Sequence, residues 1–168
     1  MAKHKNRGRR ESFDGVPAAR AGPFSFARVE GESSIVRWYM SRHGESVLAE
    51  FPGLLARLAK GPAEVALIFK GDRAVALLAW RPDLDGTVEL LADHAAPARG
   101  TDQRRLVDFI YGPDGPLATA GTTLAWGVAE AKSQTRRLRQ LGYRSRTGAA
   151  IGTLTRLERP VGQPSLDG

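Results

Sequence analysis

Cysteine is absent from the 168-residue chain, so disulfides and thiolate metal sites are excluded. The three histidines, His4, His43 and His94, are scattered without a ligand-like spacing, and no metal site is expected. No apolar run reaches the roughly 20 residues that a membrane helix needs. The basic N-terminus lacks the apolar stretch of a secretory signal. Neither a Walker loop nor a Gly-x-Ser-x-Gly elbow occurs, and there is no internal repeat. These absences lead us to expect a soluble protein that is not secreted. It would be cytoplasmic, or held within an intracellular or virion assembly, with no membrane partner.

What is present suffices for one domain with its own core. Hydrophobic residues make up 42% of the chain. Lys and Arg total 25 against 18 Asp and Glu, a net charge of +7. A surplus of that size favours nucleic acid, acidic proteins or phosphorylated ligands, and equally keeps a protein in solution. It is concentrated at the start. Lys3, Lys5, Arg7 and the adjacent pair Arg9 and Arg10 are interrupted only by His4, Asn6 and Gly8. Such a segment buries too little apolar surface to offset its ordering entropy. Residues 1–22 therefore read as a flexible basic arm, 23–159 as the folded domain, and 160–168 as a disordered tail.

Within the body, Phe24 and Phe26 alternate with small or polar residues, as in a strand. Ser33 or Ser34 caps a helix carrying Val36, Trp38 and Tyr39, which Gly44 is expected to end. A second helical stretch follows, broken near Pro52, with Leu54, Leu55 and Leu58 on one face. Three strands come next, Ala63–Phe69, Ala74–Trp80 and Thr87–Ala92, joined by Gly-Asp and Asp-Gly turns. A helix around Leu106–Ile110, a Gly/Pro-rich loop, a strand Thr122–Val128, a helix Ser133–Leu141 and a last strand Ala149–Leu157 complete the chain. Gly142 sits where a left-handed helix cap belongs. Trp38, Trp80 and Trp126 lie among apolar residues and read as core. The order β-α-α-β-β-β-α-β-α-β implies an α/β fold: a mixed sheet with helices on both faces.

Two segments connect that order to a known family. Val88-Glu89-Leu90-Leu91-Ala92-Asp93-His94-Ala95-Ala96-Pro97-Ala98-Arg99-Gly100 runs from a strand through a proline into Arg-Gly. Leu138-Arg139-Gln140-Leu141-Gly142-Tyr143 ends a helix on a Leu-Gly-aromatic step. With the element order, they resemble the GNAT acetyltransferases from Pro23 to Leu157. The resemblance implies that Arg99, Gly100, Thr101, Asp102, Gln103 and Arg104 form the loop that holds the pyrophosphate of acetyl-CoA. Free N–H groups at a helix N-terminus bind anions. The family pattern Arg-Gly-x-Gly-x-Gly has here lost its second glycine to Asp102 and its third to Arg104. Asp102 is a natural N-cap before Gln103 and would compete for the same amides. Its charge would also oppose a phosphate by about 1 to 4 kcal/mol.

The resemblance also implies a base on the fourth strand, where Glu89 stands, and a phenol on the last helix as acid. That second position is Leu138, which carries no proton. His94 is the other candidate base, by its titration range. Around the last helix, Arg136, Arg137 and Arg139 form either a solvated face or, with the arm, a polyanion surface. Three functions remain open. One is an active acetyl-CoA-dependent N-acetyltransferase acting on an amine. Another is a GNAT-like domain that has lost or weakened acyl transfer and serves as a binding or assembly component. The third is a non-catalytic acyl-CoA sensor. Acetyl-CoA is the cofactor if the domain is active, and there is none otherwise.

The arm makes a prediction of its own. Deleting residues 1–22 should leave the melting temperature nearly unchanged and weaken binding to nucleic acid. If about four to six arm cations contact phosphates, log K should fall with log salt at a slope near −4 to −5, and truncation should remove most of that slope. Fluorescence anisotropy across a salt series reads both. Equal slopes for the full and truncated chains would return the basic surplus to solubility alone.

Overall fold

A computed structural model describes residues 20–21, 23–30, 33–97, 100–129, 131–151 and 154–163. Most of the proposed arm, with Lys3, Lys5, Arg7, Arg9 and Arg10, lies outside the described residues, as does Arg99.

In chain order the elements are β1 (Arg20–Ala21), β2 (Phe24–Val29), α1 (Ser34–Glu50), α2 (Leu54–Leu58), β3 (Glu64–Lys70), β4 (Arg73–Pro82) and β5 (Thr87–Ala95). Then come α3 (Gly100–Tyr111), α4 (Pro116–Thr119), β6 (Leu124–Ala129), α5 (Lys132–Gln140), β7 (Arg144–Ile151) and β8 (Leu154–Pro160). The strands form one sheet in the order β1-β2-β3-β4-β5-β6-β8-β7. Every pairing is antiparallel except β5 with β6. No described helix is long and apolar enough to cross a membrane.

Two cores lie on opposite faces of this sheet, which is why its central strands are almost wholly apolar. Side chains alternate along a strand. Ala66, Ile68, Ala76, Leu78 and Trp80 therefore pack beneath Leu106, Phe109, Leu117 and Leu138 of α3, α4 and α5. Leu67, Phe69, Leu77 and Leu91 pack beneath Val36, Tyr39, Val47 and Leu54 of α1 and α2. A register shift between Ala79 and Trp80 opposes Ala79 to Ala92 and Trp80 to Leu90. Leu91 is thus the extra residue of a bulge in β5.

Several expectations need correction. Gly44 does not end a helix: α1 runs through it to Glu50. A helix-interior glycine costs about 1 kcal/mol against alanine, and burial of Tyr39 and Val47 on either side outweighs that. Ser33 is the N-cap, its Oγ accepting from Val36 N at 3.4 Å. β5 continues three residues past Ala92, which puts Asp93 and His94 inside a strand instead of a turn. The Gly/Pro-rich loop contains α4, with Pro116 in its first turn. The single last strand is two antiparallel strands, β7 and β8. Arg20–Ala21, placed in the arm, pair with Phe24–Ser25. Pro160, placed in the tail, is paired with Leu124. Beyond it Val161 N donates to Thr123 O and Gly162 N to Tyr111 O. Trp80 is buried as expected, but Trp38 is 43% exposed, its ring beneath the Arg42 guanidinium.

Gly142 does adopt the left-handed conformation, with φ of +91°. Tyr143 N returns to Leu138 O at 2.9 Å and closes α5. A Cβ at Gly142 would run into the Arg159 guanidinium, whereas one at Gly44 would meet only Met40, 3.7 Å away. Gly142→Ala should therefore destabilise by about 1–3 kcal/mol. Gly44→Ala should stabilise by about 0.5–1 kcal/mol. Urea midpoints of the two variants test the pair, and a stabilised Gly142→Ala would show the cap to be misassigned.

Candidate functional site

The parallel pairing of β5 and β6 is short. Thr87, Val88 and Glu89 oppose Leu124, Ala125 and Trp126, and the described ladder goes no further. Beyond it the strands diverge, leaving a wedge between Leu90–Ala95 and Gly127–Ala129. α5 lies over the wedge. Leu138 packs so closely on Gly127 that a Cβ there would stand 3.2 Å from it. Arg137 reaches across the wedge, its Nη2 donating to the Asp93 carbonyl at 3.3 Å. Its Nε lies 3.9 Å from Glu50 Oε2 at the end of α1. Neither of those two buried atoms has a hydrogen-bond partner among the described residues. Burial raises the Glu50 pKa, Arg137 opposes the shift and Asp93 adds to it.

The side chains of β5 divide between the two faces of the sheet. Glu89 is 3.3 Å from Arg81 Nη1. Arg81 is itself tied to the backbone carbonyls of Arg57, Gly61 and Pro62. Glu89 therefore stands at the mouth of the wedge but within an ion pair. His94 is 1% exposed. Its Nδ1 lies 2.7 Å from Tyr39 Oη and its Nε2 2.9 Å from Ser46 Oγ. Burial, with His43 and Arg137 nearby, lowers its pKa to about 4, so the ring is neutral near pH 7. Tyr39 is held far above the phenol range, chiefly by burial.

Asp93 is also buried and is joined to two phenols. Tyr143 donates to Tyr111 Oη at 2.9 Å, and Tyr111 donates to Asp93 Oδ2 at 2.7 Å. Burial raises the Asp93 pKa, while the Tyr111 hydrogen bond, Arg137 and Arg159 resist the shift. Both phenols are held protonated by burial first of all. Sequence reasoning marked Tyr143 as the aromatic after Leu141-Gly142, and the structure buries it in the core. The sequence had no signal for Tyr111 or Glu50, whose roles depend on which elements meet.

The segment expected to hold phosphate is described from Gly100 onward. Asp102 is not an N-cap, because α3 already begins at Gly100. Its carboxylate is 2.7 Å from Lys70 Nζ. The charge that was expected to repel a phosphate is thus offset by a cation in contact. Between α3 and α5 lies a cleft of about 510 Å³ lined by Arg104, Arg137, Arg139, Arg144 and Arg159, with Asp93 and Asp108 its acidic members. Arg104 and Arg139 are exposed, as is Gln103 beside them. Of the expected polyanion face on α5, Arg136 and Arg139 are exposed, whereas Arg137 is turned into the wedge.

A mixed sheet with one short parallel pair, flanked on both faces by helices and bearing a cationic cleft between two of them, defines the class of fold. The particular fold is that of the GNAT acetyltransferases. A GNAT family acetyltransferase from Elizabethkingia anophelis with acetyl-CoA bound covers 84% of this chain and 100% of its own, at 12% identity and a TM-score of 0.50. An aminoglycoside 6′-acetyltransferase type Ii covers 83% of this chain and 99% of its own, at 12% identity and a TM-score of 0.52. An acetyl transferase from Salmonella typhimurium that modifies the N-terminal serine of ribosomal protein L7/L12 covers 86% and 99%, at 7% identity and a TM-score of 0.51. No family model and no curated protein matches the chain in sequence.

The residues present fit acetyl-CoA only in part. The cleft has the charge for its phosphates. The wedge, where a thioester arm would have to enter, holds a cavity of about 20 Å³, room for one water. No acyl-transfer step follows from that arrangement.

His94 gives this site a measurable pH signature. Its folded pKa, about 4, lies below its unfolded value of 6.5. The corresponding stability is fully present above pH 6.5 and is lost as pH falls towards 4, by up to about 3 kcal/mol. Asp93, with its raised pKa, acts in the opposite sense. The difference between wild type and His94→Gln therefore isolates the histidine. Urea unfolding from pH 7.5 to 4 should show the wild-type advantage shrinking, and a constant difference would mean that His94 is not buried as the neutral ring.

Proposed function

We propose that this GNAT-fold domain binds phosphate-bearing ligands in its arginine cleft and has lost or weakened acyl transfer, serving as a binding or assembly component. The observation that carries this is the closed wedge. Arg137 and Leu138 occupy the only gap between β5 and β6 described here, while the anion cleft beside it stays open. Three further facts support it. Leu138 stands where the family's acid would be. Glu89 is committed to Arg81. His94 is enclosed between Tyr39 and Ser46. The basic arm, with exposed Arg136 and Arg139, would add a polyanionic partner, nucleic acid or an acidic protein surface.

A second reading is favoured by one observation. Glu89 lies at the last paired step before the wedge, on the strand where the family's base is found. If Arg81 released it, an active acetyl-CoA-dependent N-acetyltransferase acting on an amine would result. Fold alone decides neither.

Calorimetry and a turnover assay separate the two. Acetyl-CoA should bind with Kd above about 10 µM and lose affinity steeply with salt. Arg104→Ala with Arg139→Ala should weaken it further, about tenfold. Turnover over a panel of amines should stay below ~0.01 s⁻¹, far under ordinary enzyme rates of about 1 s⁻¹ or more. Submicromolar binding with turnover at ordinary rates would overturn the proposal and establish the transferase.

A further inference from the structure

Two cavities meet at α5. One is the arginine cleft between α3 and α5. The other is the small cavity in the wedge, lined by Glu50, Leu54, Leu90, Gly127 and Leu138. Among the described residues, Arg137 alone lines both. Its side chain is the wall between them.

We propose that Arg137 is the specificity-determining residue of the cleft: it admits the phosphate-bearing end of a CoA-type ligand and excludes the thioester arm from the wedge. The inference rests on the cleft being an anion site, as proposed above.

The geometry shows a wall that is held lightly. Among the described residues Arg137 makes one hydrogen bond, from Nη2 to the Asp93 carbonyl, at the long distance of 3.3 Å. Its ion pair with Glu50 is 3.9 Å long, and both facing atoms, Nε and Oε2, lack a hydrogen-bond partner. A ligand arm entering the wedge would need that same Asp93 carbonyl, because β6 has already diverged from β5 there. The guanidinium thus stands on the side of this carbonyl from which a ligand arm would approach. Leu138 narrows the gap from below but lines only the wedge cavity. Removing Arg137 beyond Cβ joins a cavity of about 20 Å³ to one of about 510 Å³.

The test compares two ligands of equal charge that differ only by the arm: acetyl-CoA and the 5′-diphosphate methyl ester of 3′-phosphoadenosine 5′-diphosphate. Taking their affinity ratio cancels the loss of one positive charge, which affects both. In wild type the ratio should be near one, since only phosphates are engaged. In Arg137→Ala it should rise at least about tenfold, or about 1.4 kcal/mol. Arg137→Met removes the charge but keeps most of the side-chain volume, and should leave the ratio near one. Arg137→Ala strands the Glu50 carboxylate, so Arg137→Ala with Glu50→Gln is a second opening variant that leaves no unpaired charge; circular dichroism reports whether each is folded. A folded opening variant with an unchanged ratio overturns the proposal while leaving the cleft reading intact. Failure of both ligands to bind wild type overturns the cleft reading, and the partition with it. A wild-type ratio already well above one would show that Arg137 excludes nothing.

Discussion

The parallel pairing of β5 with β6 ends at Glu89 and Trp126, and the backbone of β5 beyond that point must find its partners elsewhere. Buried carbonyls rarely go unpaired. In a splayed sheet the partner is either a ligand or a side chain from a covering element. Here α5 supplies it, through Arg137 to the Asp93 carbonyl. The closeness of α5 follows from Gly127, whose missing Cβ lets Leu138 settle into the gap. Sheet divergence, a glycine and one arginine together turn an open fork into a closed one.

On either side of that fork the buried polar groups are arranged so that few protons move. Asp93 on the α3 side is held by Tyr111, which is held by Tyr143. His94, its neighbour in sequence, faces the other way into Tyr39 and Ser46. Strand alternation separates the two, and burial pushes their pKa values in opposite directions, Asp93 up and His94 down. A general base near neutral pH needs a pKa near its working range and access to a substrate. His94 is too acidic and too enclosed. Glu89 has access but shares its charge with Arg81. Glu50, its pKa raised by burial, faces the wedge with an oxygen that has no hydrogen-bond partner among the described residues, but it stands against Arg137.

Most of the fold was legible in the sequence because its elements obey simple periods. β3 and β4 read as buried strands from uninterrupted apolar runs, and Gly142 marked the end of α5 through its left-handed conformation. The errors fell where tertiary packing outvoted a local signal. Gly44 looked like a terminator, but the helix around it is held to β5 by Tyr39 and Ser46 through His94. β7 was hidden because Arg144 and Ser145 carry no apolar alternation; they pair with Glu158 and Leu157 of β8. The candidate site was half legible. Glu89 and the Asp102 substitution stand out in one dimension. The Lys70 that neutralises Asp102 is 32 positions away and invisible until β3 and α3 are placed side by side.

The basic surplus shows the same limit more sharply. Arg136, Arg137 and Arg139 look like one charged stripe in the sequence. Successive helical residues point about 100° apart, however, so these three cannot all face the same surroundings. Arg136 and Arg139 are exposed. Arg137 is carried inward against Glu50 and the Asp93 carbonyl. Arg139 and Arg137 still reach the cleft, where Arg104 comes from α3 and Arg144 and Arg159 from the last two strands. A cationic surface assembled from four elements is a property of the fold, and no run of charge along the chain announces it. Bringing five guanidiniums to one cleft against only two carboxylates is electrostatically unfavourable without an anion. That excess of positive charge, only partly met by Glu50 against Arg137 and by the backbone carbonyls that Arg144 and Arg159 bond, is the physical reason for proposing a polyphosphate there.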